Sequence, residues 1–404
     1  MTHSRRILVY KIIALLFVIL VLFMSSDGIK NPEINHRSLC TVMGIDGKEG
    51  EISASVQIIV PEPQGQGKQM IVNETGTTLS DALDKINISI GQKVELGHCG
   101  LIVLGNEYIK NAIFPELLYL LSSGKTNPDV NLVVAKDMEA RELLSKLNNL
   151  SKLVSEGINN IVAYADSGVH VARSGILSFL TKSFGFGKSG AIPCVELGTD
   201  KYGGDKQNVK SGQSGDGQEG SGGQSGGEQS EGQTVIKNID TLIMLKDGKY
   251  KADLSEQGTR GIVWLDKESV TGLVLLNDVK MPDETIQSLS CKLIGKKVKT
   301  KASFIDGKPV YRINISVKIS IEDKYKIVEI VKEGKSKVYN AVNCAVIELI
   351  KQQIDAGINE SKNADCDIFC INEKFNKFCH KEFMQYGDVL KDVLVDYNIK
   401  VNIL

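Results

Sequence analysis

From Ile7 to Met24 the chain carries one charge, Lys11, and is otherwise apolar. Arg5 and Arg6 precede this run. A basic flank stays on the cytoplasmic side, so residues 1–6 are expected to be a cytoplasmic tail and the remainder to be exported. Counted from Ile7 the run is long enough to cross a bilayer, with Lys11 reaching back to the interface. Counted from Ile12 it has the length of a signal-peptide core. Both readings of residues 7–24, anchor or signal, stay open. Ser26-Asp27-Gly28 is a weak cleavage match, which favours an uncleaved single-pass anchor.

Patterning then changes to short apolar elements. In residues 30–198, Asp46-Gly47 sits between two apolar runs and predicts a hairpin turn. Leu79, Ala82, Leu83, Ile86 and Ile90 recur at helical spacing behind Thr78 and Asp81, a capping-box pair, with Gly91 or Gly97 closing the helix. A strand over Gly100–Leu104, a helix from Glu107 to Leu121 restarted at Pro115, a strand over Val130–Ala135 and a helix from Met138 to Leu147 follow. In residues 236–404, strands lead. Thr241–Leu245 precedes Asp247-Gly248, and Lys301–Phe304 precedes Asp306-Gly307. Ile313, Ile315, Val317 and Ile319 then alternate with polar residues, as a half-buried strand requires. Ala341, Ala345, Leu349 and Ile350 share a face of a helix ending near Ile354, and Val393–Leu404 reads as a last strand. The fold class expected is α+β, or mixed α/β, in tandem αβ subdomains after one N-terminal transmembrane helix.

Between these regions, residues 202–234 hold eleven of the 39 glycines and almost no apolar side chains. Such a stretch cannot bury enough surface to offset its ordering entropy, so 199–235 reads as a flexible linker. A further subdomain boundary is expected near 282.

Composition narrows the function. The 404 residues are 42% apolar and 24% charged, which excludes a disordered or multi-pass membrane protein. A net charge of −1 offers nucleic acid no global basic field. Eight cysteines are too few for a disulfide scaffold. Cys366, Cys370, Cys379 and His380 match no standard zinc spacing. A disulfide among the three cysteines, a zinc site, or free thiols all remain open there. Gly185-Phe186-Gly187-Lys188-Ser189-Gly190 fits the dinucleotide pattern but runs into Pro193 instead of a helix. His98 and Cys99 are adjacent, so on extended backbone they face opposite ways and form no catalytic pair. No nucleophile elbow or zinc-protease motif occurs, and no cofactor is expected. An exported, tethered cell-wall enzyme or a solute-binding protein are the alternatives that these patterns leave.

Several segments carry a resemblance. Glu33-Ile34-Asn35 leading into Gly44-Ile45-Asp46 resembles the opening of the Ger(x)C family, the C subunits of spore germinant receptors. Gly76 and Thr78 before a helix, then Gly97-His98 before an apolar strand, are similar to the same family. So are Asn131–Leu144, Thr241–Leu265 with its Arg260-Gly261 and Trp264-Leu265, and Ser361–Phe369. Glu33, Asn35, Gly44, Asp46, Gly76, Gly97 and His98 are thus expected to be family residues with structural roles. The family's lipidated cysteine has no counterpart in Ser25-Ser26-Asp27-Gly28, so Ile7–Met24 is expected to anchor the chain instead. The resemblance implies a non-catalytic subunit outside the spore inner membrane. Its implied partners are the receptor's A and B membrane subunits, with no small-molecule ligand of its own.

Overall fold

The computed structural model describes residues 11–20, 37–60, 68–148, 170, 172–200, 233–266, 271–281 and 285–404. Glu33 and Asn35 lie outside the described residues, as do the ends of the 7–24 segment and the middle of the linker. Residues 11–20 are helical (α1) with their large apolar side chains exposed. Among the described residues no helix is long and apolar enough to cross a membrane.

Two sheets organise the rest. The larger has ten strands, numbered β1 to β10 in chain order, with the path β10-β9-β7-β6-β5-β1-β2-β3; β4 (Lys93–Glu95) attaches to β1 and β8 (Gln233–Asn238) to β7. At its centre β1 (Arg37–Lys48), β5 (Leu101–Gly105), β6 (Asn131–Ala135) and β7 (Ser189–Asp200) run parallel. β2 (Glu51–Val60) and β3 (Lys68–Gly76) extend it antiparallel on one side. The central strands are continuous apolar runs because both faces are covered. In β5, Leu101 and Val103 face one core while Ile102 and Leu104 face the other, following the two-residue period of a strand.

One face is covered by α2 (Leu79–Ile90), α3 (Phe114–Ser122) and α5 (Ile176–Ser183), through Leu83, Leu117 and Phe179 among others. Thr78 caps α2, its hydroxyl accepting from Asp81 N–H at 3.2 Å, and Gly91 closes it at φ 66°. The other face is covered by α4 (Ala140–Asn148) through Leu143, Leu144 and Leu147.

Strands from beyond the linker complete this sheet. β9 (Leu242–Lys246) pairs antiparallel with β7, β10 (Lys249–Leu254) with β9, and β8 (Gln233–Asn238) with the end of β7. Asp247 and Asp306 both adopt positive φ ahead of Gly248 and Gly307, as two-residue hairpin turns require. Asp46 behaves otherwise. β1 continues past it to Lys48, which pairs with Glu51, so the hairpin turns at Glu49-Gly50 and Asp46 stays inside the strand.

The second sheet is β11 (Gly272–Lys280), β12 (Thr285–Ile305), β13 (Lys308–Ile321) and β14 (Leu394–Ile403). β14 pairs parallel with β13 over its whole length. Residues 282–284 lie outside the described residues, and the strands flanking them pair with each other. The inner face packs on α7 (Val328–Asn363), whose buried stripe is Val338, Val342, Val346, Ile350, Ile354 and Ile358. This helix runs nine residues beyond the Ile354 end read from the pattern. Gly357, a breaker by propensity, lies where a Cβ would come within 2.8 Å of the Gly258 carbonyl oxygen. It is kept for close approach to α6 (Glu256–Leu265). The α4 side of the larger sheet, α6, α7 and the inner face of the second sheet form one continuous core.

Candidate functional site

Two buried aspartates hold helix N-termini across the fold. Asp46, from β1, accepts from the first two N–H groups of α4: Ala140 at 2.7 Å and Arg141 at 3.0 Å. Those donors have no partner within their own helix, so a carboxylate there also meets the favourable end of the helix dipole. Space for it is made by Gly105, where a Cβ would fall 1.9 Å from Asp46 Oδ1, while a Cβ on Gly44 would press on Ala140. Burial pushes the Asp46 carboxyl above its ordinary range, and the two N–H donors pull it back.

Asp367 repeats the device. Its oxygens accept from Ile371 and Asn372 N–H, each at 2.8 Å, at the start of α8 (Ile371–Phe378). Its own N–H donates to Ser189 Oγ at 3.0 Å, at the first residue of β7. Gly187 makes room, since a Cβ there would lie 2.7 Å from Asp367 Cβ. Asn372 extends the joint, donating to Asp388 at 2.8 Å and accepting from Val389 N–H at 2.9 Å. Burial raises the Asp367 carboxyl to about 6 against these donors. Beside it Lys246 and Asp365 form an ion pair of 2.6 Å. Residues 185–190, which fit a dinucleotide pattern, thus form a joint between the two sheets.

The family-like positions divide between the ends of the larger sheet. Gly44, Asp46 and Gly76 lie toward the C-terminal end of β1, and Gly76 lets α2 begin where a Cβ would meet Ala82 N at 2.5 Å. Gly97 and His98 occupy a 3-10 turn before β5, at the opposite end, with His98 exposed and Cys99 buried. Gly187 stands in the stretch that fits the dinucleotide pattern, where it serves packing instead, whereas Gly105 and Asp367 carry no mark of their own in the sequence. The signal for Asp367 was its place in the Ser361–Phe369 step.

All eight cysteines are free thiols. Cys366 is buried, Cys379 Sγ donates to the Ala302 carbonyl at 3.3 Å, and Cys370 begins α8 at φ 54°; no bridge joins the three. Among the described residues no group of three or more His, Cys, Asp or Glu side chains is placed to hold a metal.

A cleft of about 720 Å³ opens between the second sheet and the helices α5, α6 and α8. Its walls are the end of α6 at Ile262–Asp266, Arg173 and Lys182 at α5, the edge of β12 at Val298–Lys301, and α8 with Lys374, Lys377 and Phe378. Tyr311 lies at its floor with its hydroxyl pushed up to about 12 by burial. Cys370 lines it too, raised to about 11 by burial while Lys182 and Lys374 draw it down. The cleft is cationic and apolar, and carries no general acid–base pair among the described residues.

Residues 30–197 match the family described as spore germination protein N-terminal domain. Residues 240–404 match spore germination B3/GerAC like, C-terminal. The chain belongs to the Ger(x)C family. No curated protein matches it. Among solved structures, the crystal structure of the GerBC protein is similar over 90% of this chain and 96% of that one, at 14% identity and a TM-score of 0.45. The C-terminal match to the Ger(x)C family includes β9 and β10, strands that lie in the same sheet as the N-terminal match.

Proposed function

We propose that the chain is the non-catalytic C subunit of a nutrient-germinant receptor, tethered on the outer face of the spore inner membrane and acting in receptor assembly or signal relay. The observation that carries this reading is the pair of family matches, in order, on both sides of the linker. The partners proposed are the receptor's A and B membrane subunits. The apolar run Ile7–Met24 supports tethering, as does the exposure of its side chains where the helix is described. The helix caps and joints assign structural work to Asp46 and Asp367, which suits a scaffold.

The test is deletion of the gene in its spore-forming host, followed by germination with nutrients and, separately, with calcium dipicolinate. Loss of one nutrient response with the dipicolinate response intact, restored by the gene in trans, is expected. Loss of both responses would overturn the receptor reading in favour of a general structural role.

A further inference from the structure

Among the described residues, one edge of β12 at the cleft has no strand paired to it. β11 pairs with β12 only over Thr285–Leu293, whereas β13 pairs with it on to Ile305. Beyond Gly295 one side of β12 is therefore free of a strand among the described residues. The register shows which backbone groups face that side. In an antiparallel pair, alternate residues turn both N–H and C=O toward the partner. From β13, Asn314 Nδ2 reaches the Lys299 carbonyl at 3.4 Å, while the Ala302 carbonyl accepts from Cys379 on the opposite side. Even-numbered residues thus point their N–H and C=O away from β13, and at Val298 and Thr300 that direction is the cleft.

Charge and shape specify what fits. Lys297, Lys299 and Lys301 are exposed on the outer face of the sheet, alternating with Val298, Thr300 and Ala302 on the inner one. Lys182, Lys374 and Lys377 add positive charge at the cleft, and Asp266 is the one carboxylate lining it among the described residues. At about 3.3 Å per residue, the edge from Lys297 to Lys301 spans roughly 17 Å, room for five residues. A second copy of the chain pairing β12 with β12 would set lysines opposite lysines, which is unfavourable.

We propose that this edge accepts an extended segment of a partner protein, added as a strand, in which acidic residues alternate with apolar ones. The acidic side chains lie across from Lys299 and Lys301; the apolar ones enter the cleft against Leu265, Phe369 and Phe378. The inference rests on this geometry and not on the germination reading.

The test uses the full chain in detergent and a fluorescein-labelled (Glu-Val)3 hexapeptide, followed by anisotropy, with (Lys-Val)3 as the charge-reversed probe. Thr300→Pro removes an N–H that faces the free side and leaves the ladder to β13 intact. The double substitution Lys299→Glu and Lys301→Glu reverses the charges that the acidic side chains meet without touching the backbone, so it tests the site even if Thr300→Pro does not fold. Expected are saturable binding of the acidic peptide alone and a loss of at least about tenfold in each variant. Equal binding of both peptides, no saturation below about 1 mM, or unchanged affinity in the charge variant would overturn the proposal. So would a dimer of the parent chain that Thr300→Pro makes monomeric while the peptide fails to compete.

Discussion

Asp46 substitutes for a local N-cap from far away in the sequence and Asp367 from the turn just before its helix, and each is admitted by a glycine. Asp46→Ala leaves two helix N–H groups buried without an acceptor. A loss of about 2 kcal/mol in urea unfolding is expected, with Gly105→Ala costing as much by expelling the carboxylate. Asp367 adds a pH dependence. Its carboxyl is raised to about 6 in the folded chain, above an unfolded value near 4, so folding takes up a proton between those limits. The associated stability is fully present below pH 4 and is lost as pH rises through about 6. The stability of the parent relative to Asp367→Asn should therefore fall by on the order of 3 kcal/mol between pH 4 and pH 7, as read from urea melts across that range. Asp46 was legible in the sequence as a marked residue, but its role was not. An Asp-Gly pair between apolar runs signals a turn, as at Asp247 and Asp306. Only pairing with β2 two residues further shows that Asp46 is inside a strand with its carboxylate committed to α4.

Element boundaries depend on what each element packs against. The helical period behind Thr78 and the alternation from Ile313 to Ile319 identified α2 and β13 directly, because each buries one face and exposes the other. α7 and β12 extend further than their patterns indicated. The reason at α7 is its crossing with α6, where a Cβ on Gly261 would lie 2.2 Å from the Gln353 carbonyl oxygen and Trp264 donates to Gln353 Oε1 at 2.6 Å. Glycines that weaken a lone helix let two helices touch. Gly261→Ala should force the pair apart and cost about 2 kcal/mol. Trp264 is the chain's single tryptophan, so a red shift of its fluorescence in the folded variant reports that separation. An unshifted spectrum with unchanged stability would show that the crossing tolerates the added carbon.

At the scale of the molecule, the linker separates sequence but not structure, since β8, β9 and β10 pair into the sheet that the first region begins. Composition set residues 199–235 apart, and it carried no information about which strands would meet across them. That pairing is set by non-local hydrogen bonds and by the shared core through Val195, Leu242 and Met244. A chain with a protease site inserted between residues 205 and 230 should, once cut, elute as one species in size exclusion, and its halves should separate only on unfolding. The same join has a thermodynamic corollary. The entropy of closing a flexible loop grows only with the logarithm of its length, so for a stretch of the composition expected between β7 and β8 doubling the length should cost about 0.6 kcal/mol, less than one typical hydrogen bond contributes. The spacing between the two halves is thus nearly free to drift, and insertions or deletions there should accumulate among relatives with little effect on the sheet that spans them.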